Sequence, residues 1–226
     1  MSVKPTIVAT DDGSNTLVHP TIGAHYHSTF GAKQESDFIF IKEGLDFYVN
    51  KLNVKSVSIL EMGFGSGLNA YNTLLHGLEN NISIKYCGIE NFPIEEHMIP
   101  ELDYPRILNS EETTNLFYKM HSSKWETYAQ ISEDFSLKKL NISLENLKLQ
   151  DKFDIIYFDA FSPKDQPELW TENVFEKMFC LLNPNGILVT YCSKGIVKNA
   201  LRSVGFDLLR LAGPPSKRHI LRATKP

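Results

Sequence analysis

The chain has 226 residues, 42% of them apolar and 22% charged, and a formal net charge of -4. That length suits one α/β domain with a full core, and the composition is that of an ordinary globule, which excludes fibrous and disordered classes. A slightly negative chain carries no global cationic field to advertise nucleic acid, although a local patch remains compatible with it.

No run approaches membrane-spanning length, and Met1 to Pro5 lacks the apolar stretch of a signal peptide, so a cytoplasmic protein without membrane contact is expected. Cys87, Cys180 and Cys192 are odd in number and lie in apolar segments, which reads as reduced core thiols. With no C-x-x-C, H-E-x-x-H or clustered ligand set, no metal site is expected.

In chain order, Thr6 to Val18 predicts a hairpin turning through Asp11-Asp12-Gly13-Ser14-Asn15. The polar and aromatic stretch His25 to Ser36 reads either as a loop packed over the domain or as a lid with substrate contacts. Phe38, Ile41, Leu45, Tyr48 and Leu52 then recur at helical spacing over Asp37 to Leu52. From there strands and helices alternate. Val57–Leu60 is a strand, followed by a helix through about Leu78. Ile84–Glu90 is a strand, with a helix expected from Pro93. Leu102 to Tyr128 gives a poor signal, and Phe135 to Ile142 alternates like a strand. Phe153–Asp159 is a buried strand, a helix runs from Pro167 to Leu182, and Asn183-Pro184-Asn185-Gly186 stops it before the strand Ile187–Tyr191. A short helix over Lys194 to Val204 and two closing strands, Phe206–Leu211 and His219–Ala223, complete the chain.

Such alternation predicts a mostly parallel sheet covered on both faces, and two final strands joined without a helix predict an antiparallel ending. The expectation is a seven-stranded sheet with an antiparallel last strand. Residues 1–52 would form an N-terminal hairpin, lid and helix extension packed on a core domain of residues 53–226.

The stretch Glu61-Met62-Gly63-Phe64-Gly65-Ser66-Gly67-Leu68-Asn69 joins the first core strand to its helix. Three alternate glycines suit a tight turn under a nucleoside cofactor, but the spacing is not that of a dinucleotide cradle. S-adenosylmethionine carries a cationic sulfonium and no phosphate, so it needs an acid more than an anion hole. Three acids end apolar strands: Glu61, Glu90 and Asp159. Ligands in open α/β sheets sit outside those strand ends, and an acid ~20 residues past the glycine turn is placed for ribose hydroxyls, which fits Glu90. Glu61 is placed under the loop for the cofactor's amino-acid end. Asp159 is placed beside the sulfonium, to take the proton of an amine nucleophile.

Tyr26-His27-Ser28 with Gly31-Ala32-x-x-Glu35-Ser36, the glycine stretch above, Asp159-Ala160-Phe161-Ser162-Pro163, Gln166-Pro167-Glu168-Leu169-Trp170-Thr171 and Gly213-Pro214-Pro215-x-Lys217-Arg218 together resemble one family. It is the methyltransferase domain of the tRNA 5-methylaminomethyl-2-thiouridine biosynthesis protein of MnmC type, or its stand-alone form, MnmD. The resemblance implies a Rossmann-like methyltransferase fold. It also implies S-adenosylmethionine-dependent N-methylation of 5-aminomethyl-(2-thio)uridine at wobble position 34 of tRNA. Carried over, Glu61, Gly63, Phe64, Gly65, Gly67, Asn69 and Glu90 would hold the cofactor, and Asp159 would face the amine. Tyr26, Phe161, Pro163, Lys217 and Arg218 would meet the substrate, an anticodon loop. The stretch after Asp159, and His219-Ile220-Leu221 after Arg218, depart from commoner family residues at the substrate rim. The flavin oxidase domain of bifunctional members is expected to be absent from this chain.

From Lys194 onward, eight bases face one acid, Asp207, a skew that can neutralise phosphates. Phe161, Trp170 and Tyr26 are candidates to stack on a splayed base, with a core position the alternative for Trp170. Two other readings stay open: an aminopropyltransferase of spermidine-synthase type, and a non-catalytic tRNA-binding module on the same fold.

Overall fold

The computed structural model describes residues 5–26, 28–108 and 110–226, so His27 of the expected lid motif lies outside the described residues. Strands β1 (Thr6–Ala9) and β2 (Asn15–Val18) form the expected antiparallel hairpin. Eight further strands form one sheet: β3 (Ser56–Met62), β4 (Ser83–Glu90), β5 (Ala129–Ser132), β6 (Phe135–Asn141), β7 (Phe153–Phe158), β8 (Leu182–Thr190), β9 (Asp207–Ala212) and β10 (His219–Thr224). Their order is β5-β6-β4-β3-β7-β8-β10-β9.

The five strands from β6 to β8 are parallel, while β10 runs antiparallel to both β8 and β9. Seven strands match the expectation, including the antiparallel last one. The eighth, β5, pairs with β6 at the edge in an irregular register, and its four residues were too few and too polar to announce a strand. Because β4 and β6 lie to one side of β3 and β7 and β8 to the other, the strand order reverses between β3 and β7. That is where an open α/β sheet leaves a crevice at its carboxyl edge.

The near-continuous burial of β3 and β7 follows from helices on both faces. One apolar layer joins Ile59, Tyr86 and Tyr157 to Leu17, Phe40 and Leu45 of the N-terminal segment. The opposite layer joins Leu60, Ile156 and Leu188 to Trp170, Phe175 and Leu201. Trp170 is therefore core, its indole nitrogen donating to the Phe161 carbonyl.

The N-terminal helix is longer than expected and differently wound. Helix α1 (Ala32–Ser36) runs through a π-helical stretch, Asp37–Asp46, into α2 (Phe47–Leu52). The wider π turn rotates the buried face away from 3.6-residue spacing. Of the expected face, Ile41, Leu45 and Tyr48 are buried, whereas Phe38 is half-buried and Leu52 exposed, and Phe40, Gly44 and Val49 are buried beside them. A side chain at Gly44 would press on Tyr157 and Val189, which shows how closely this helix lies on the sheet.

After the glycine turn comes α3 (Leu68–Asn80), ended by Asn81 in the left-handed region. The helix expected from Pro93 begins later, as a 3-10 turn and the short α4 (Ile99–Leu102); α5 (Tyr104–Ile107) and α6 (Thr114–Ser122) follow. Residues Pro167–Trp170 form a 3-10 turn before α7 (Glu172–Leu181), and α8 (Gly195–Ser203) lies as expected. Rather than separating helix from strand, Asn183–Gly186 forms an irregular start to β8. Cys87 and Cys192 are buried thiols, but Cys180 is exposed on α7, a correction to its expected core position.

Candidate active site

Three left-handed glycines shape the turn after β3: Gly63, Gly65 and Gly67, with φ of 90°, 52° and 75°. What crowds them is protein. A Cβ on Gly63 would stand 2.7 Å from the Asp159 carbonyl oxygen, one on Gly65 3.0 Å from the Tyr26 ring, and one on Gly67 3.2 Å from His121 and Phe64. The glycines thus let the turn pass against the end of β7, the lid segment and α6 at once. Gly63 and Phe64 both donate their N–H to the Ile89 carbonyl, tying the turn to β4.

Two cavities open at this sheet edge. The larger, about 740 Å³, is lined by Gly63, Phe64, Gly65, Glu90, Asp159 and the His19–Ile22 segment, among others. The smaller, about 450 Å³, is lined by Glu35, Asp159, Tyr191 and Lys217 with the lid segment. Ile22, Tyr26, Asp159, Ala160, Phe161 and Asp165 line both, so the two cavities adjoin along this shared wall.

Glu90 takes the Gly65 N–H on Oε2 and the Phe92 N–H on Oε1, each at 2.8 Å. Burial raises its pKa, and those backbone bonds hold it partly down. Its carboxylate retains accepting capacity toward the cavity, since each oxygen has two lone pairs.

Glu61, expected at the amino-acid end of the cofactor, is fully buried and lines neither cavity. Its Oε1 accepts from Asn69 Nδ2 at 2.9 Å, and the same nitrogen lies 2.8 Å from Asp159 Oδ2. Asn69, expected as a cofactor ligand, is therefore the link between the two acids. Burial above all, and the charges of Asp159 and Glu90, raise the Glu61 pKa well above the usual carboxylate value.

Asp159 is pushed up to about 7, by burial first and by the Glu35 charge second; the Asn69 hydrogen bond and Lys217 oppose the rise. A carboxyl poised there can give up or take a proton near neutrality.

The expected substrate residues divide. Tyr26 and Phe161 meet edge to face, ring centres 5.1 Å apart, in the shared wall. His19 packs edge-on against Phe161 and Phe92, and nothing in its local sequence signalled that. Lys217 enters the smaller cavity, where its ammonium pairs with Glu35 at 3.1 Å and lies 4.5 Å over the Tyr191 ring. Pro163 is buried and lines neither cavity, and Arg218 is exposed outside both. Glu35 and Tyr191 had no assigned role in the sequence. The signals were there: Glu35 sits in the resemblance motif, and Tyr191 follows the carboxyl end of a strand.

Three bases of the cationic tail serve structure. Lys217 is paired as described, Arg222 is buried against Glu43 and the Phe47 ring, and Lys225 donates to the Phe179 and Leu182 carbonyls. Lys194, Arg202, Arg210 and Arg218 are exposed. Desolvation and the charges of Arg210, Arg218 and Lys198 lower the pKa of His219, which places these cations around one spot.

Residues 109–226, just over half of the chain, match the family model described as S-adenosyl-L-methionine-dependent methyltransferase. The chain belongs to this methyltransferase family. A tRNA 5-methylaminomethyl-2-thiouridine biosynthesis bifunctional protein MnmC of Burkholderia thailandensis is 27% identical over 97% of this chain and 35% of its own. The protein of the same name from Campylobacter fetus is 27% identical over 78% of this chain and 30% of its own. The chain thus spans about a third of the length of the curated relatives it matches. Among solved structures, MnmC2 from Aquifex aeolicus superposes with a TM-score of 0.79 at 27% identity, covering all of this chain and 72% of that one. Spermidine synthase from Thermotoga maritima, at TM-score 0.52 and 16% identity, shares the fold alone.

The methyltransferase cofactor fits the larger cavity by its chemistry. The cavity is within the size range of small-molecule sites, its acids suit a cationic donor, and no phosphate cradle is built into its glycine turn. Among the described residues no group of acids, histidines and cysteines is arranged to hold a metal ion, and no helix is long and apolar enough to cross a membrane.

Proposed function

We propose that this methyltransferase N-methylates the 5-aminomethyl group of (2-thio)uridine at wobble position 34 of tRNA. The observation that carries the reading is Asp159 in the wall between two cavities, one fitted to the methyl donor and one left for an acceptor. The likeness to MnmC proteins along nearly the whole chain supports the choice of acceptor.

S-adenosylmethionine, when bound, supplies a methyl group on a positively charged sulfur, which keeps the C–S electron pair as the new C–N bond forms. Glu90 would accept hydrogen bonds from the ribose, with Gly63, Phe64 and Gly65 forming the floor beneath it. An alkylamine is protonated at neutral pH, so its lone pair must first be freed. Asp159 takes that proton, and its elevated pKa makes it a better base than an exposed carboxylate. Alignment of acceptor and donor where the two cavities adjoin supplies the larger part of the acceleration.

The exposed bases Arg210 and Arg218, with Lys198, would meet tRNA phosphates next to the smaller cavity, and Tyr26 and Phe161 would receive the unstacked base of an anticodon loop. Residues 1–52 act in this reading as the lid and support of a 53–226 core, and a tRNA substrate would suit a cytoplasmic protein. The test is transfer of radiolabelled methyl to tRNA lacking the modification, with nucleoside analysis. Label in 5-methylaminomethyl-(2-thio)uridine is expected, and label elsewhere or nowhere rejects the reading.

A further inference from the structure

We propose that Glu35 belongs to the acceptor site, where its free carboxylate oxygen receives an N–H of a primary amine held in the smaller cavity. The inference rests on the methyl-transfer reading above and names the residue that positions the acceptor.

Glu35 stands on α1, its side chain only 6% exposed, and it lines the smaller cavity. Oε1 pairs with Lys217 at 3.1 Å and the Ser28 backbone N–H also acts on the carboxylate, while Oε2 is buried with no donor within hydrogen-bond distance. A buried acceptor without a donor is costly, and a ligand N–H would relieve that cost. The cavity also already displays the recognition it needs. One ammonium, that of Lys217, rests between the Glu35 carboxylate and the face of Tyr191. A second amine fits the same chemistry on the oxygen that remains.

A neutral primary amine has two N–H bonds and one lone pair. Held through one N–H by Glu35, it keeps the lone pair free to turn toward the shared wall. Asp159, on that wall, breaks one N–H bond of the incoming ammonium, leaving the electron pair on nitrogen, and passes the proton to water. Lys217 disfavours reprotonation of that nitrogen before transfer, and the positive charge that moves from sulfur to nitrogen with the methyl group is met by the Glu35 carboxylate. The charged and titratable groups facing Asp159 are Glu35 on α1, Lys217 before β10, Tyr191 after β8, and Glu61 of β3 across Asn69.

The experiment is calorimetric titration of 5-aminomethyluridine into wild type, Glu35→Gln and Glu35→Asp, with S-adenosylhomocysteine affinity measured alongside. In Glu35→Gln the amine is expected to bind at least ~10-fold more weakly, the cost of one charge-assisted hydrogen bond. S-adenosylhomocysteine affinity should stay unchanged. In methyl transfer, the acid limb of the pH profile should move to lower pH in Glu35→Gln, because a negative neighbour of Asp159 is gone, and return in Glu35→Asp. Equal amine affinity in Glu35→Gln and wild type, or no amine binding by the wild type, overturns the proposal. So does joint loss of both ligands in both variants, which marks a structural role. A wild type that binds the amine through Glu35 yet leaves the wobble uridine unmethylated upholds this pocket and removes the tRNA reading.

Discussion

The amide nitrogen of Asn69 lies 2.8 Å from the Asp159 carboxylate, so a side chain of the first α3 turn holds the residue that follows β7. The same nitrogen reaches Glu61 at 2.9 Å. One donor thus serves two acids that would otherwise repel each other across the β3–β7 junction, where the strand order reverses. The Asp159 carboxylate is held by this hydrogen bond, and its backbone by the N–H that it donates to the Met62 carbonyl.

Replacing Asn69 by Ala removes that donor. The buried Glu61 oxygen is left without a partner, a loss of about 1–3 kcal/mol in stability by denaturant unfolding. Because the Asn69 bond also lowers the Asp159 pKa, the acid limb of the pH–rate profile moves to higher pH. An unmoved limb would mean that Asn69 does not tune the base.

Asp159→Asn keeps cofactor affinity and lowers turnover by roughly 10²–10⁴-fold, the usual worth of a positioned base. Unchanged turnover would remove Asp159 from the mechanism.

Stability should respond to the same residue. The folded pKa of Asp159 is raised to about 7 from an ordinary value of 3.8, so its protonated form contributes stability that is full below 3.8 and lost as pH rises through about 7. Asp159→Asn is therefore expected to melt higher than wild type at pH 8, with the gap closing toward pH 4. A gap independent of pH would show that Asp159 titrates normally.

Gly63→Ala forces a Cβ to 2.7 Å from the Asp159 carbonyl oxygen at a φ of 90°. It should cost about 1–3 kcal/mol through backbone strain alone and weaken cofactor binding by displacing the end of β7. Gly195→Ala, where a Cβ meets nothing within 4 Å, is the control and should stay within about 0.5 kcal/mol of wild type by thermal melting.

Two arginines of the tail should separate cleanly. Arg218→Glu is expected to leave folding intact, weaken tRNA binding and lower its salt slope by about 1 or more. Arg222→Ala strands the Glu43 carboxylate beside the Phe47 ring and should destabilise by about 3 kcal/mol, with tRNA affinity lost only as folding is lost. The reverse pattern in filter binding and melting would reassign both.

Much of this molecule was legible in its residues. Buried parallel strands need apolar runs, and their ends meet solvent, so Val57–Leu60, Ile84–Ile89 and Phe153–Phe158 with an acid after each announced both the sheet and its functional edge. Local steric demand is equally visible: Gly63, Gly65 and Gly67 mark a left-handed turn wherever the chain places it. Pairings between distant side chains are a different matter, because they depend on how helices lie on the sheet. Nothing near Glu61 says that Asn69 links it to Asp159, and nothing near Lys217 says that Glu35 claims it. The π turns of Asp37–Asp46 bring Glu43 within reach of Arg222 and press Gly44 on Tyr157. Composition and periodicity determined the architecture and its acidic rim. Only packing decided which acid lines a cavity, which is buried behind it, and which base is left unpaired at the surface, since burial and charge pairing are properties of the assembled fold.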